Sequence, residues 1–380
     1  MSALRIFRAL LIKELLCAFG TPLAYGIAAL FGVLQGVHVA LFVEQAAVTP
    51  ELLSGSTPLR WVFGSTGLAY LVYFVFAPAL TMQAFADERR AATLDVLLVS
   101  PAHASSIVAA KLGTAWTLYC GMWVPSLTHA LLLQRGAGLP VGPWVIAYVG
   151  VGLAGLLVLS AGLVASTFTE APLTAFLLAA GVPVALFLMG MAETVVPLGA
   201  TLAEVCRYAS LWGFVDAFSS GIVDSGRVTF ALTTSVLCFL WASRRVERMR
   251  ATSEPTAFVD RVLAYATPAA LAALYVFANV AAARHPVRWD GTPDRAHTAL
   301  PSSRALLADM RGDVRVWLVG PTTGEDPVQH GALAAVLEGL RAAAPELRVG
   351  VVDSRRASPM AADLQRRLGI TAAELGSLRM

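Results

Sequence analysis

Apolar positions in this chain run in long blocks, without the alternation of a half-buried strand. About seven blocks stand out, near residues 22–43, 61–83, 105–132, 143–167, 171–191, 227–243 and 258–283. Most are near the roughly 20 residues that a helix needs to cross a ~30 Å hydrocarbon core. The pattern changes between 85 and 101. There Leu94, Leu97 and Leu98 fall on one helical face while Glu88, Arg89 and Asp95 stay polar, which predicts one amphipathic helix at a membrane surface. Ser100 offers an N-cap, and Pro101 suits a first helical turn because its missing N–H costs nothing there. A second helix is therefore expected to begin at once and run through Lys111, giving a helical hairpin that projects from the membrane. The first twenty residues mix Arg5, Arg8, Lys13 and Glu14 into an apolar run without a small-residue cleavage site. They read as a surface helix leading into the first span, not as a cleaved signal.

Three further segments complete the organisation. Residues 166–170 form a tight turn between two spans. Between 192 and 226, Pro197 and Gly199 break helix, and Leu211, Phe214, Val215 and Phe218 then share a helical face. This suggests short helices dipping back into the membrane, where their free backbone groups must be buried against protein. The charged run 243–255 reads as a linker dividing six spans from a seventh. Beyond 284 the composition becomes soluble, with about half of all the arginines. Helices near 301–310, 328–343 and 359–368 alternate with strands at 314–319 and 347–352, an order that predicts a small parallel sheet.

Composition sharpens the class. With 57% hydrophobic and 14% charged residues and a mean hydropathy of +0.68, the chain falls far from soluble proteins, where about a quarter of residues are charged. It reads as an integral membrane protein. Cytoplasmic loops retain positive charge. Arg5, Arg8, Lys13, Arg89, Arg90, Lys111, Arg244, Arg245, Arg248, Arg250 and Arg261 lie on one set of flanks, against Arg60, Arg135, Arg207 and Arg227 on the other. This places the N-terminus in the cytoplasm, and seven crossings leave the tail outside. Cys17, Cys120, Cys206 and Cys238 suggest no disulfide framework.

Candidate chemistry is mostly negative. Neither lysine follows glycine, since Lys13 follows Ile12 and Lys111 follows Ala110, so no phosphate-binding loop of the glycine-lysine type is present. The six histidines are too scattered to suggest a metal site, and no Gly-x-Ser-x-Gly elbow occurs. The spans also lack the ionisable residues that proton- or sodium-coupled carriers use. Energy is therefore expected from outside the chain.

Lys13-Glu14-Leu15 with Phe19-Gly20-Thr21-Pro22, then Glu88-Arg89-Arg90, Thr93-Leu94-Asp95, Leu97-Leu98, Ser100-Pro101 and Lys111, resembles the permease subunit of type-2 ABC exporters over about residues 1–250. Ser210, Phe214, Phe218 and Gly221-Ile222-Val223-Asp224 narrow the likeness to gliding-motility-associated permeases. The stretch from Arg288-Trp289-Asp290 through Thr298–Leu307 is similar to the start of their auxiliary subunit, although the tail is much shorter than that subunit.

The resemblance implies an all-α polytopic membrane protein. A permease domain at 1–250 with six helices and an N-terminal interfacial helix is followed by a linker and seventh span at 251–284, and by a truncated α/β periplasmic domain at 285–380. Glu88, Arg89, Arg90, Thr93, Leu94, Asp95, Ser100, Pro101 and Lys111 belong to the hairpin that couples to a separate ATPase subunit, with Lys13 and Glu14 on the interfacial helix beside it. Phe214, Phe218, Gly221 and Asp224 fall at an outer gate. Plainer readings stand beside these: Arg89 and Arg90 as orientation anchors, Lys13 with Glu14 as a solvated pair, Phe214 and Phe218 as core packing. The implied partners are an ABC ATPase, a second copy or second permease, and membrane lipids, with no nucleic acid. ATP and Mg sit on the ATPase, and this chain itself holds no cofactor and has no catalytic residue. The implied place is the bacterial inner membrane. An assembly protein that passes ATP-driven motion to periplasmic partners is the alternative.

Overall fold

The structure, a computed structural model, describes residues 3–49, 53, 57–65, 67–99, 102–138, 140–195, 200–250, 258–292, 295, 298, 315–320 and 348–353. The chain divides into two units, Met1–Gly291 and Thr292–Met380.

The first unit is almost entirely helical. α1 (Ala3–Phe19) stops at Gly20, and α2 (Pro22–Val48) starts on a proline whose absent N–H needs no partner there. The next apolar block holds α3 (Thr57–Arg60), α4 (Gly67–Leu71) and α5 (Ala77–Thr81), with π-helical turns over Trp61–Ser65 and Val72–Phe76. Then come α6 (Ala86–Arg90), α7 (Leu94–Val99), α8 (Ala104–Trp123), α9 (Ser126–Ala137), α10 (Val141–Ser166) and α11 (Pro172–Val195). They are followed by α12 (Ala200–Ala209), α13 (Leu211–Ser219), α14 (Ser225–Arg250) and α15 (Phe258–Arg284). Among the described residues six helical stretches are long and apolar enough to cross a membrane: 24–48, 58–90, 141–166, 172–192, 225–250 and 266–284. The protein is a polytopic helical membrane protein.

Several expectations change in detail. The block at 105–132 is two helices, parted at Val124-Pro125 because proline has no N–H to continue the ladder. α8 carries Lys111 and several hydroxyls, and it falls outside the six stretches. The single amphipathic helix expected over 85–101 is broken into α6 and α7 by Ala92, which has φ 54°. α8 starts at Ala104 after His103 in an extended conformation, later than the Ser100-Pro101 start, and those two residues lie outside the described residues. The charged run after Ser243 is helical as far as Arg250. Arginine and glutamate are good helix formers, and Arg248 and Arg250 suit the negative end of α14. Pro197, Gly199 and the three tail helices lie outside the described residues.

The tail also divides later than its composition suggests. Residues Arg288–Asp290 form β2, which pairs antiparallel with β1 (Ile222–Asp224) and so belongs to the first unit. In the second unit β3 (Arg315–Gly320) and β4 (Arg348–Asp353) pair in parallel, from Arg315 opposite Arg348 to Gly320 opposite Asp353.

α10 is the centre of the first unit. Its apolar window is 67% buried, against 0% for α15 at the periphery. Around it Phe31, Phe63, Tyr70, Tyr73, Trp123 and Trp144 build an aromatic core, with Phe31 meeting Trp123 edge-on at 5.0 Å between ring centroids. Three glycines let other elements approach α10. A Cβ on Gly150 would collide with the Phe218 ring, one on Gly155 with the Tyr119 ring and one on Gly162 with the Thr81 hydroxyl, whereas Gly152 faces open space. A smaller core at the other end joins Phe85, Leu94, Ala102, Ile107, Val108, Leu163 and Val246.

Overpacking a filled core costs about 1–3 kcal/mol. Gly155→Ala is therefore expected to destabilise the purified protein by that amount, while Gly152→Ala leaves it unchanged or slightly more stable. Thermal unfolding of the two variants in detergent checks the contrast.

Candidate functional site

α1, α6 and α8 converge on one buried ammonium. Lys111 sits midway along α8 with its side chain 4% exposed. Its Nζ donates to Glu88 Oε1 at 2.8 Å and to Glu14 Oε2 at 3.3 Å, and lies 5.2 Å from the centre of the Phe85 ring. Glu14 Oε1 in turn accepts from Lys13 Nζ at 3.1 Å. Two lysines and two glutamates therefore form a chain without net charge. Burial alone would lower the pKa of Lys13, but its hydrogen bond to Glu14 and the carboxylates of Glu14 and Glu88 outweigh that and raise it above 10.5. The pairing thus favours Lys13 folded and charged at every pH below that value, and is lost only as pH rises through the folded pKa.

Two more contacts fix the same region. Arg89 Nη1 donates to the Thr167 carbonyl at 2.9 Å and pairs with Glu170 at 3.5 Å, which ties α6 to the α10–α11 turn. Arg250 donates to the Ala102 carbonyl at 2.8 Å, which ties the end of α14 to the segment before α8. Leu94 is buried in the smaller core, so it supports the hairpin from within. Thr93 donates its amide to the Glu88 carbonyl at 3.0 Å and closes the turn. Of the residues expected to meet a partner, Arg90 and Thr93 are exposed, together with Ala91 and Ala92 between them. Glu88 and Arg89 are half-buried, Lys111 and Leu94 are buried, Asp95 lies in α7, and Ser100 and Pro101 are outside the described residues. The hairpin is thus an exposed tip on a clamped root.

Beside Lys111 lies a cavity of about 260 Å³ between α1, α2, α5 and α8. Its polar lining is Lys13, Glu14, Thr21, Gln83, Glu88, Lys111 and Thr114.

The expected outer gate residues gather at the other end. Phe214 and Phe218 are buried and stack at 4.8 Å within the main core. Gly221 has φ 80°, a left-handed turn that glycine adopts without strain, and its carbonyl accepts from the Gly291 amide. Asp224 is buried, and its carboxylate accepts from the Gly226 amide at 2.8 Å and from Arg288 Nε at 3.2 Å. Beyond its apolar contacts, α13 is anchored through Asp216, which Arg60 reaches at 2.6 Å. Tyr208 donates to Asn279 Oδ1 at 3.0 Å, and Asn279 donates to Thr233 at 2.9 Å, a polar seam that docks α15 on α14. Burial, then the Asp224 charge, pushes the Tyr208 phenol up to about 12 and keeps it a donor. Among the described residues no three His, Cys, Asp or Glu side chains group closely enough to hold a metal ion.

The sequence carries no signal for the contacts of Arg250, Glu170 and the Arg60–Asp216 pair, because Arg60 and Arg250 read there as orienting charges and Glu170 as part of a turn. No protein-family model matches the chain, and no curated protein or solved structure matches it either.

Removing one partner of a buried ion pair costs about 3–5 kcal/mol because the other charge is left without compensation. Lys111→Met is therefore expected to destabilise the protein by that amount in a detergent melt. Combining it with Glu14→Gln and Glu88→Gln is expected to recover most of the loss.

Proposed function

We propose that the chain is the membrane permease subunit of an ABC exporter, of the gliding-motility-associated kind, driven by a separate ATPase subunit that binds ATP and Mg. The observation that carries this reading is the α6–α7 hairpin. Arg90, Ala91, Ala92 and Thr93 are exposed at its tip, while Lys111, Arg89 and Arg250 tie its root to α1, the α10–α11 turn and α14. A tip that receives force and a root that passes it on is what a passive permease requires. The absence of a glycine-lysine phosphate loop from the sequence agrees with a motor on another chain.

In this reading α8 and α9 make a seventh crossing beside the six long apolar stretches, so that the N-terminus and the hairpin face the cytoplasm of a bacterial inner-membrane protein and the unit beginning at Thr292 faces the periplasm. The excess of arginine and lysine on the hairpin side supports that orientation. The permease works as a dimer with itself or a second permease. On α2, Gly32 and Gly36 have the four-residue spacing that lets membrane helices pack closely, and neither meets another side chain within 4 Å.

The motor contact is tested by copurification. Replacing residues 87–101 with a flexible linker of equal length is expected to abolish recovery of the ATPase subunit with the chain. Undiminished recovery overturns the mechanism.

A second reading, an assembly protein that moves periplasmic partners, draws support from the β1–β2 pairing and the Asp224–Arg288 bond. Both join the base of the tail to the helices beside α13. Deleting residues 292–380 keeps β2 in place. Export is expected to survive this deletion if the assembly reading holds, with only the partner-dependent function lost. Loss of substrate export itself favours the exporter. Transport and partner function are measured on the same membranes.

A further inference from the structure

α1 has two different faces. On one, Ile6 and Leu10 pack against the smaller core, Leu11 comes against Gly113 of α8, and Glu14 meets Lys111. The other face is free. Leu4, Arg8, Ile12 and Leu16 follow one another at four-residue spacing and Phe19 ends the row one turn later, so the five share one side of the helix. All five are exposed, Leu16 by 70% and Phe19 by 49%. Arg5 and Lys13 are exposed as well.

The charge on this face has one sign. The only acid in α1 is Glu14, which is half-buried and already bonded to Lys111 and Lys13. Arg5 and Arg8 make no hydrogen bond or ion pair among the described residues. The face is also divided along the helix axis. Arg5 and Arg8 occupy its first half, after Leu4, while Ile12, Leu16 and Phe19 occupy its second. The apolar half leads across Gly20-Thr21 into α2, whose membrane-length stretch begins at Ala24. There the Phe19 ring lies 6.5 Å from that of Tyr25, which is 60% exposed, so the apolar surface of α1 continues onto the outer surface of a spanning helix. A row of large apolar side chains is unfavourable in water, and the acyl chains around α2 accept it. The arginines, one to two turns further from α2, then stand at headgroup level, where anionic lipids supply the missing negative charge.

We propose that the free face of α1 is a docking surface for anionic phospholipid, with Ile12, Leu16 and Phe19 among the acyl chains and Arg5 and Arg8 on the headgroups. Each guanidinium offers paired N–H donors to phosphate oxygens. Selectivity comes from net charge, because a choline headgroup brings a cation of its own and a glycerol headgroup does not. The surface needs only a polytopic membrane chain and serves an exporter and an assembly protein alike, so its failure leaves the motor reading intact.

Native mass spectrometry of the full chain tests this, after exchange in detergent against equimolar dioleoyl phosphatidylglycerol and phosphatidylcholine. Phosphatidylglycerol is expected to be retained at least about fivefold over phosphatidylcholine, the ratio that one arginine near an anionic surface supplies. Arg5→Gln with Arg8→Gln removes no bond of the fold, so the pair is expected to melt as the wild type does and to lose the preference. Arg5→Lys with Arg8→Lys keeps the charge and is expected to keep it, as is Arg244→Gln with Arg248→Gln on α14. Equal retention of the two lipids by the wild type overturns the proposal, as does a preference that persists in the Arg5 and Arg8 glutamine pair or disappears only in the α14 pair. The apolar half is tested in nanodiscs of the purified chain, where Ile12→Cys is expected to react with a water-soluble maleimide more slowly than Ala91→Cys at the exposed hairpin tip. Equal reactivity places the face in water, or under another protein in the cell, and overturns the lipid contact.

Discussion

A charged lysine buried in a membrane protein has to be compensated, and how Lys111 is compensated governs this end of the molecule. The desolvation cost of an ammonium is several kcal/mol after relaxation, so its position on α8 is acceptable only while Glu14 and Glu88 stand against it. That requirement fixes three elements at once. α1 must lie along α8, and α6 must turn back over it. The aromatic face of Phe85 covers the ammonium from another side. The apolar contacts of the smaller core, Leu94 and Ile107 against Val246, fill the space around this chain of charges.

The opposite end is held by a different kind of contact. There the charged pairs are fewer, and close packing against α10 does most of the work. Gly150 admits Phe218 and Gly155 admits Tyr119 where any larger residue would force the helices apart. In a bilayer, where apolar side chains gain nothing by leaving lipid for protein, such close contact and interhelical hydrogen bonds are the main sources of association. The Tyr208–Asn279–Thr233 seam supplies the second source for α15, whose 266–284 stretch buries none of its apolar residues.

Much of the architecture was legible because its signal is local. Long apolar blocks marked most of the spanning helices, and the order of elements in the tail foretold that its two described strands would run parallel, whereas the break at Pro125 inside the 105–132 block was not read from the sequence. The site was legible only in pieces. Lys111, Glu14 and Glu88 each drew notice, but they lie 97 and 23 positions from one another along the chain, and nothing in sequence brings α1 against α8. Arg89 and Arg250 were masked by a second role, since a positive flank that orients a helix looks the same as one that bonds a distant carbonyl. The break at Ala92 carried no signal at all. Alanine favours helix and rarely takes a positive φ, so the turn is imposed by the packing of Leu94 and the bonds of Arg89 on either side of it.

These two ends are joined by continuous helices whose stiffness differs from that of the hairpin tip. A lever works only if the joint between its tip and the load is stiffer than the load itself. At the tip, Ala91, Ala92 and Thr93 are exposed and held mainly by backbone bonds to the preceding helix. One turn further in, the Lys111 cluster and the Arg89 and Arg250 bonds replace that compliance with contacts to four elements. From there α10 is continuous to its contact with Phe218, and α14 is continuous to Asp224, where the β1–β2 ribbon begins. Uninterrupted helices between a charge-clamped end and a tightly packed end leave little room to absorb a displacement. The hairpin root and the α13 and ribbon region are thus joined through single unbroken helices within the first unit.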